Sequence, residues 1–350
     1  MARLVVLGGL GGFGGSVAAE LRRLGFSPRI ATRGARVSGA GGAARPDLHV
    51  DADDRESIER ALEPGDLVVD AAGPFHRRST ALVELACAIG FDIIDLNDDL
   101  TYAQAVLGQG RAIAAAGIRV LSSCSSVSAI AARAIAMSGV REPTRFSSFL
   151  MPASRQAANP GTARSLLRSV GREVRVLRGG RLVARPGWSE VRRFPMPAPL
   201  GTASGHLFES ADAVWLPRRW PSLTDAAMFV DANAYGVNAL LGLAARYPGL
   251  RRALERNAAA AARVARFIGR GGGGLGYEVV DAGGRRARLA FVARERAFLA
   301  AVAPAVLSAR AILEGRFEGC GLVPPDRHVA EGELLAHLNS AGIFLHRIEF

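Results

Sequence analysis

Leu4-Val5-Val6-Leu7-Gly8-Gly9-Leu10-Gly11-Gly12-Phe13-Gly14 is an apolar run that passes straight into glycines. Four successive aliphatic residues closed by glycine read as a buried strand. Val17, Ala18, Leu21 and Leu24 then recur at helical spacing, which predicts a helix over 13–24. Between the two, Gly9-Leu10-Gly11-Gly12-Phe13-Gly14 fits the pattern G-x-G-x-x-G. In a chain with 41 glycines the pattern alone says little. Its place after a strand and at the start of a helix gives it meaning. Gly9 is expected to permit the tight turn, Gly11 to let backbone approach a pyrophosphate, and Gly14 to let the helix pack on the strand. Unpaired N–H groups at the helix start would receive the phosphates. The stretch therefore reads as the dinucleotide-binding turn of a Rossmann domain.

The pattern continues for about 140 residues. Strands are predicted at 29–32, 48–51, 67–71, 93–95 and 118–121, and helices at 54–62, 80–89 and 102–116. The segment 34–45 is rich in glycine and alanine and reads as a loop. Strands separated by single helices imply a doubly wound parallel sheet with right-handed crossovers. After about residue 142 the pattern changes. Strands are expected at 145–151, 173–177, 182–184, 226–230, 277–280 and 287–292, with hairpin turns at Gly179-Gly180 and Gly283-Gly284. Helices are expected at 237–245, 253–268 and 298–313. The expected organisation is α/β: a nucleotide-binding domain over 1–141 and an α+β substrate and dimerisation domain over 142–319, with 320–350 packing back on the first.

Composition excludes several classes. No run reaches the ~18 uninterrupted apolar residues of a membrane span, and residues 126–140 are too short and carry Arg133. The start of the chain reads as a strand rather than a leader, so a cytoplasmic protein without a membrane partner is expected. Cys87, Cys124 and Cys320 have no metal-site spacing and form an odd set, which argues against zinc and disulfides. The net charge is +12, yet all 44 basic residues are arginine. Arginine without lysine, beside abundant Ala and Gly, reads as GC-rich codon usage spread over a surface. A nucleic-acid groove would concentrate the charge and interleave aromatics, and these make up only 6%. Nucleic acid is therefore not an expected partner; a small, anionic substrate is. Without lysine, Schiff-base chemistry and the Tyr-x-x-x-Lys pair of short-chain reductases are impossible.

The end of the second strand separates the two nicotinamide dinucleotides. An acidic residue there, roughly 20 residues on, bonds the ribose 2′-hydroxyl of NAD. This chain has Ala31-Thr32-Arg33-Gly34-Ala35-Arg36 instead. A guanidinium at Arg33 suits a 2′-phosphate and can stack on adenine, with Arg36 assisting. NADP is the expected cofactor, with Thr32 and Arg33 at its ribose. The competing reading makes Arg33 one more surface arginine.

With these pieces and Ala71-Ala72-Gly73-Pro74-Phe75, Gly90-Phe91-Asp92-Ile93-Ile94-Asp95-Leu96 and Gly161-Thr162-Ala163-Arg164-Ser165-Leu166, the chain resembles the saccharopine dehydrogenase-like NADP-binding oxidoreductases. The resemblance is good over residues 3–125 and thinner beyond. It implies hydride transfer to or from a C=N or C=C bond, and a homodimer; the expected activity is NADPH-dependent reduction of a C=N, C=O or C=C bond of a small metabolite. A non-catalytic protein that senses NADP(H) is the alternative. True saccharopine chemistry is in doubt, because no set of side chains for several carboxylates maps onto the second domain.

In a doubly wound sheet the ligand sits beyond the carboxyl ends of the strands. After strand four, Gly73 and Pro74 are expected along the cofactor and Phe75 beside the nicotinamide. His76 is a candidate proton donor, with a solvent-exposed loop histidine as the alternative. Arg77 and Arg78 either grip a substrate carboxylate or begin the next helix. After strand five, the resemblance makes Asp95 a site residue, while Asp98 and Asp99 read as helix caps. After strand six, Ser123 is expected to meet the nicotinamide carboxamide, and Cys124 is a candidate nucleophile that lacks a visible His–acid partner set. In the second domain, Thr162 and Ser165 could close on the substrate, and His206 on a flexible loop is a second candidate donor.

Overall fold

The computed structural model describes residues 3–34, 46–157 and 160–349. The chain divides into two compact units. One comprises Met1–Ile130 and Ala301–Leu334, the other Ala131–Ala300 and Leu335–Phe350.

In the first unit, strands β1 (Leu4–Leu7), β2 (Arg29–Thr32), β3 (Leu48–His49), β4 (Leu67–Asp70), β5 (Asp92–Asp95) and β6 (Arg119–Leu121) alternate with helices α1 (Gly12–Arg23), α2 (Arg55–Ala61), α3 (Ala81–Ile89), α4 (Leu100–Gly108) and α5 (Gly110–Ala116). The sheet runs β6-β5-β4-β1-β2-β3, with the two-residue strand Gly321–Leu322 beyond β6, and every pair is parallel. All four residues of β1 and all four of β4 are buried, as both-faced burial in a parallel sheet requires. From β1 the chain winds one way to β3 and then returns to lay β4 on the other side of β1. This reversal opens a crevice above the carboxyl ends of β1 and β4, where such folds bind ligands.

The expected helix over 102–116 is two helices. Asp99 accepts a hydrogen bond from the Tyr102 backbone N–H and starts α4 at Leu100. Gly108-Gln109-Gly110 then interrupts the path, because glycine costs more backbone entropy in a helix than alanine.

The second unit is built on a mixed sheet of β7 (Pro143–Met151), β8 (Glu173–Arg178), β9 (Arg181–Pro186), β10 (Val191–Met196), β11 (Gly201–Phe208), β12 (Asp225–Val230), β13 (Gly273–Asp281), β14 (Arg286–Ala293) and a closing strand Ile343–Ile348. Its order is β10-β11-β12-β7-β13-β14 and then the closing strand, with the β8–β9 hairpin on β12. Only the β12–β7 pair is parallel. Phe149 anchors one core, its ring 4.7 Å from Phe194 and 5.4 Å from Phe229. Glycines admit these rings: a Cβ on Gly276 would lie 2.5 Å from the Phe194 ring, and one on Gly205 2.7 Å from the Phe229 Cβ.

Two expectations are corrected here. Residues 201–206 are not a flexible loop but lie in β11, whose alternation of Ala203, Gly205 and Leu207 inward is masked by small residues. The boundaries also move. The division falls at 130 rather than 141, and 301–334 return to the first unit while the chain end joins the second sheet. A strand as short as Gly321–Leu322 carries no periodicity to read.

Candidate nucleotide-binding site

The glycine turn sits at the carboxyl end of β1. Gly8, not Gly9, is its left-handed residue, with φ of +70°, and its Cβ would meet the backbone of Ala71 and Ala72 at 2.9 Å. Gly9 is needed for a different reason: a Cβ there would strike the Ile30 side chain at 2.9 Å. Gly14 is the tightest point. A Cβ on it would lie 2.3 Å from the Gly8 carbonyl oxygen, so only glycine lets α1 rest on the end of β1. The turn closes through Gly11 N–H donating to the Gly8 carbonyl at 2.8 Å.

Gly11, Gly12 and Phe13 are exposed, and Leu10 is partly so. The first turn of α1 holds no acidic residue, and no side chain caps it. Its leading N–H groups therefore have no partner within the helix and face outward as an anion cradle. The residues fit a dinucleotide pyrophosphate: a bare backbone surface, a positive helix end, and glycines where a side chain would intrude.

At the end of β2, the Thr32 hydroxyl donates to the Gly34 carbonyl at 2.7 Å and shapes the turn that carries exposed Arg33. Arg36 lies outside the described residues. At the end of β4, Gly73 and Pro74 are exposed beside the turn, and the bond between them is cis. His76 is also exposed, on a short 3₁₀ turn (Phe75–Arg77).

The other candidates are placed differently. Phe75 does not border an open site. It is buried, its ring 5.3 Å from Tyr102 and covered by the Arg78 guanidinium at 5.7 Å. Arg78 is likewise unavailable to a substrate. Its side chain is 5% exposed and pairs with fully buried Asp70 at 3.0 Å, while its Nη1 donates to the Ala72 carbonyl at 2.8 Å. Burial opposes the Arg78 charge, but Asp70 together with Tyr102 and Asp53 more than offsets this, and the guanidinium pKa is raised. Asp70 also accepts from the Ala72 N–H at 2.9 Å. The pair thus fastens both ends of the loop that presents Gly73, Pro74 and His76, and removing one partner would strand a buried charge. Sequence reading missed Asp70, although an acid closing the apolar run Leu67-Val68-Val69 was its signal.

Asp95 is fully buried and touches no open surface. Its Oδ1 accepts from the Ser123 N–H at 2.7 Å and the Asn97 N–H at 3.0 Å. Ser123 holds φ of 59°, a left-handed conformation unusual for a residue with a side chain. Asp95 is therefore a positioning residue that keeps the β6 turn in this conformation. Ser123 itself is corrected: it lies inside, where its hydroxyl accepts from Asn97 Nδ2 at 3.2 Å, so it cannot reach a carboxamide. Cys124 is corrected too. It is fully buried with its Sγ 3.4 Å from the Ser308 hydroxyl, and burial pushes its thiol pKa far up, the opposite of an activated nucleophile. In the second unit, His206 stacks on Trp188 at 4.7 Å and 5°, and burial lowers its pKa. Thr162 and Ser165 lie in the helix Pro160–Ser169. Among the described residues no cluster of His, Cys, Asp and Glu could hold a metal ion, and no helix is long and apolar enough to cross a membrane.

Comparison with known proteins agrees with this geometry. A family model described as the saccharopine dehydrogenase NADP binding domain matches residues 4–121. Over those residues the chain is similar to that domain. The match covers β1 to β6, with the strand ends after β1, β2, β4 and β5, and stops at Leu121, before Ser123 and Cys124. Over the whole chain, the fold is similar to that of apo saccharopine dehydrogenase (L-Glu forming) from Saccharomyces cerevisiae, at 12% identity, 99% coverage of both chains and a TM-score of 0.60. More distant matches include a meso-DAPDH mutant with DAP from Clostridium tetani (13% identity, 97% of this chain and 99% of that one, TM-score 0.42). Another is the WlbA dehydrogenase from Thermus thermophilus in complex with NAD and alpha-ketoglutarate (13% identity, 95% and 94%, TM-score 0.38). No curated protein matches the chain.

Burial raises the Asp95 pKa from 3.8 to about 6, against the opposing hydrogen bond from Ser123. A folded-state pKa above the unfolded value means that this group's contribution to stability is complete below the unfolded pKa. It is lost as pH rises through about 6. The difference is worth on the order of 3 kcal/mol. Asp95→Asn keeps an acceptor for both N–H groups but cannot titrate. Denaturant unfolding from about pH 4 to pH 7 should therefore show wild type losing stability relative to Asp95→Asn by up to about 3 kcal/mol. Parallel pH profiles for the two proteins would refute this placement of Asp95.

Proposed function

We propose that the protein is an NADPH-dependent oxidoreductase that reduces a C=N, C=O or C=C bond of a small, anionic metabolite. The observation that carries this reading is the open glycine cradle at the carboxyl end of β1, within residues that match an NADP-binding family. NADP, rather than NAD, is favoured by exposed Arg33 at the end of β2, where an acid would serve a free 2′-hydroxyl. When bound, the dinucleotide supplies the hydride. The chain's residues bind and orient it. Backbone N–H groups of α1 meet the pyrophosphate, Arg33 meets the 2′-phosphate, and Gly73 and Pro74 line its path.

The proton that completes a reduction must come from a group near the acceptor. Of the strand-end candidates, Asp95 and Cys124 are sealed inside, whereas His76 is exposed on the loop held by Asp70 and Arg78. We propose His76 as the donor; its exposure also suits the alternative, a loop histidine in solvent, and the His76 variant below separates the two. The excess of arginine agrees with an anionic substrate.

Two measurements test this. Arg33→Glu should weaken NADPH binding at least ~10-fold while changing NADH binding far less, in direct titrations; equal loss for both would overturn the choice of NADP. His76→Gln should lower kcat about 100-fold for any imine, ketone or enoyl acceptor that wild type reduces. It should leave NADPH affinity unchanged, and an unaltered kcat would remove His76 from the mechanism.

A further inference from the structure

Nine large apolar side chains are exposed among the described residues, and six of them lie in one stretch of the second unit: Tyr235, Leu240, Leu243, Tyr247, Val264 and Phe267. They belong to three successive helices, Val237–Arg246, Pro248–Arg256 and Ala258–Ile268, and the residue before them. Phe267 is 86% exposed, Tyr235 69% and Tyr247 61%. Single exposed apolar residues are ordinary, but a cluster marks a contact surface.

The first and third helices each turn an apolar stripe outward. Ala239, Leu240, Leu243 and Tyr247 recur at helical spacing on one, and Ala260, Val264 and Phe267 on the other. The chain enters the first helix beside the point where it leaves the third. There Ala234 bridges Gly269, and the Arg270 guanidinium lies 5.0 Å over the Tyr235 ring.

Charge selects the occupant. Residues 235–270 carry seven arginines and a single acid, Glu255, which pairs with Arg172. Arg246, Arg252, Arg256 and Arg263 make no ion pair with a carboxylate. A symmetric contact between two copies would set this patch against itself and bring like charges together. Apolar side chains that project from a basic helical face instead suit the headgroup boundary of an anionic bilayer. The expectation of no membrane partner was drawn from the absence of a span, which such a surface does not need.

We propose that the helices over 237–268 dock the protein on membranes rich in anionic lipid, with Phe267, Val264 and Leu243 entering the headgroup boundary and Arg246, Arg256 and Arg263 meeting lipid phosphates. The test is co-sedimentation of the full chain with phosphatidylcholine vesicles, with and without about 30% phosphatidylglycerol, which gives the surface a negative potential. Binding should require phosphatidylglycerol and should weaken at least tenfold between low salt and about 0.5 M salt. Phe267→Ser with Val264→Ser, and separately Arg256→Gln with Arg263→Gln, should each reduce binding about tenfold or more, while exposed Val191→Ser on β10 leaves it unchanged. Absence of binding, equal binding to both vesicle types, or loss with Val191→Ser overturns the proposal. So does a dimer in sedimentation velocity that Phe267→Ser with Val264→Ser disperses, since the patch would then be an interface between copies.

Discussion

The approach of Gly14 to the Gly8 carbonyl sets the geometry on which the site depends. At that point helix α1 rests on the end of strand β1 with no room for a Cβ. The close contact aims the start of α1 across the carboxyl edge of the sheet. It leaves Gly11, Gly12 and Phe13 at the surface; the Gly11 N–H closes the turn on Gly8, while those of Gly12 and Phe13 have no partner within the helix. A side chain at Gly14 would push α1 off the strand and swing the cradle out of line with the ends of β2 and β4. The positive φ of Gly8 and the tight fit of Gly9 against Ile30 serve the same placement.

Around this contact the sheet holds its loops with buried charge rather than with surface contacts. Asp70 and Arg78 clamp the loop after β4, and Asp95 clamps the turn after β6. Both carboxylates close their strands, as expected of residues at the edge where ligands bind. Both face inward, so their work is to fix backbone. Among the described residues, those exposed at this edge include Gly11, Gly12, Phe13, Arg33, Gly73, Pro74, His76, Arg77 and Asp98. A cofactor that brings its own chemistry asks for little more.

Much of the first unit was legible in the sequence because parallel strands buried on both faces spell themselves as unbroken aliphatic runs, and glycines mark their ends. β1, β4 and β5 follow from that, and the cap at Asp99 from an acidic residue just before a helical pattern. What was not legible is which way a strand-end side chain points. Asp95, Ser123 and Cys124 follow β5 and β6 as site residues should, yet the sheet pleat and the Asp95 hydrogen bonds turn all three inward. Phe75 likewise exchanges a place beside the ligand for a ring contact with Tyr102. In the second unit, β11 escaped notice because Gly201, Ala203, Ser204 and Gly205 have too little apolar contrast to show a period of two, and β10 because Arg192-Arg193 and Pro195 break its apolar run. Small residues stand there because the Phe149, Phe194 and Phe229 rings occupy the space.

The exposed backbone of the glycine turn is the surface proposed to receive the dinucleotide phosphates. Gly11 has an extended conformation open to any residue (φ −83°, ψ 176°), and a Cβ there has only the Gly8 carbonyl near it, at 3.1 Å. Gly11→Val should therefore fold, yet place a side chain where the pyrophosphate must lie. Titrating NADPH into wild type and into Gly11→Val, followed by nucleotide fluorescence, tests the claim directly. Saturable binding by wild type, and a loss of at least ~100-fold in the variant at equal thermal stability, is the predicted result. Equal binding by both proteins, or no binding by wild type, would contradict it.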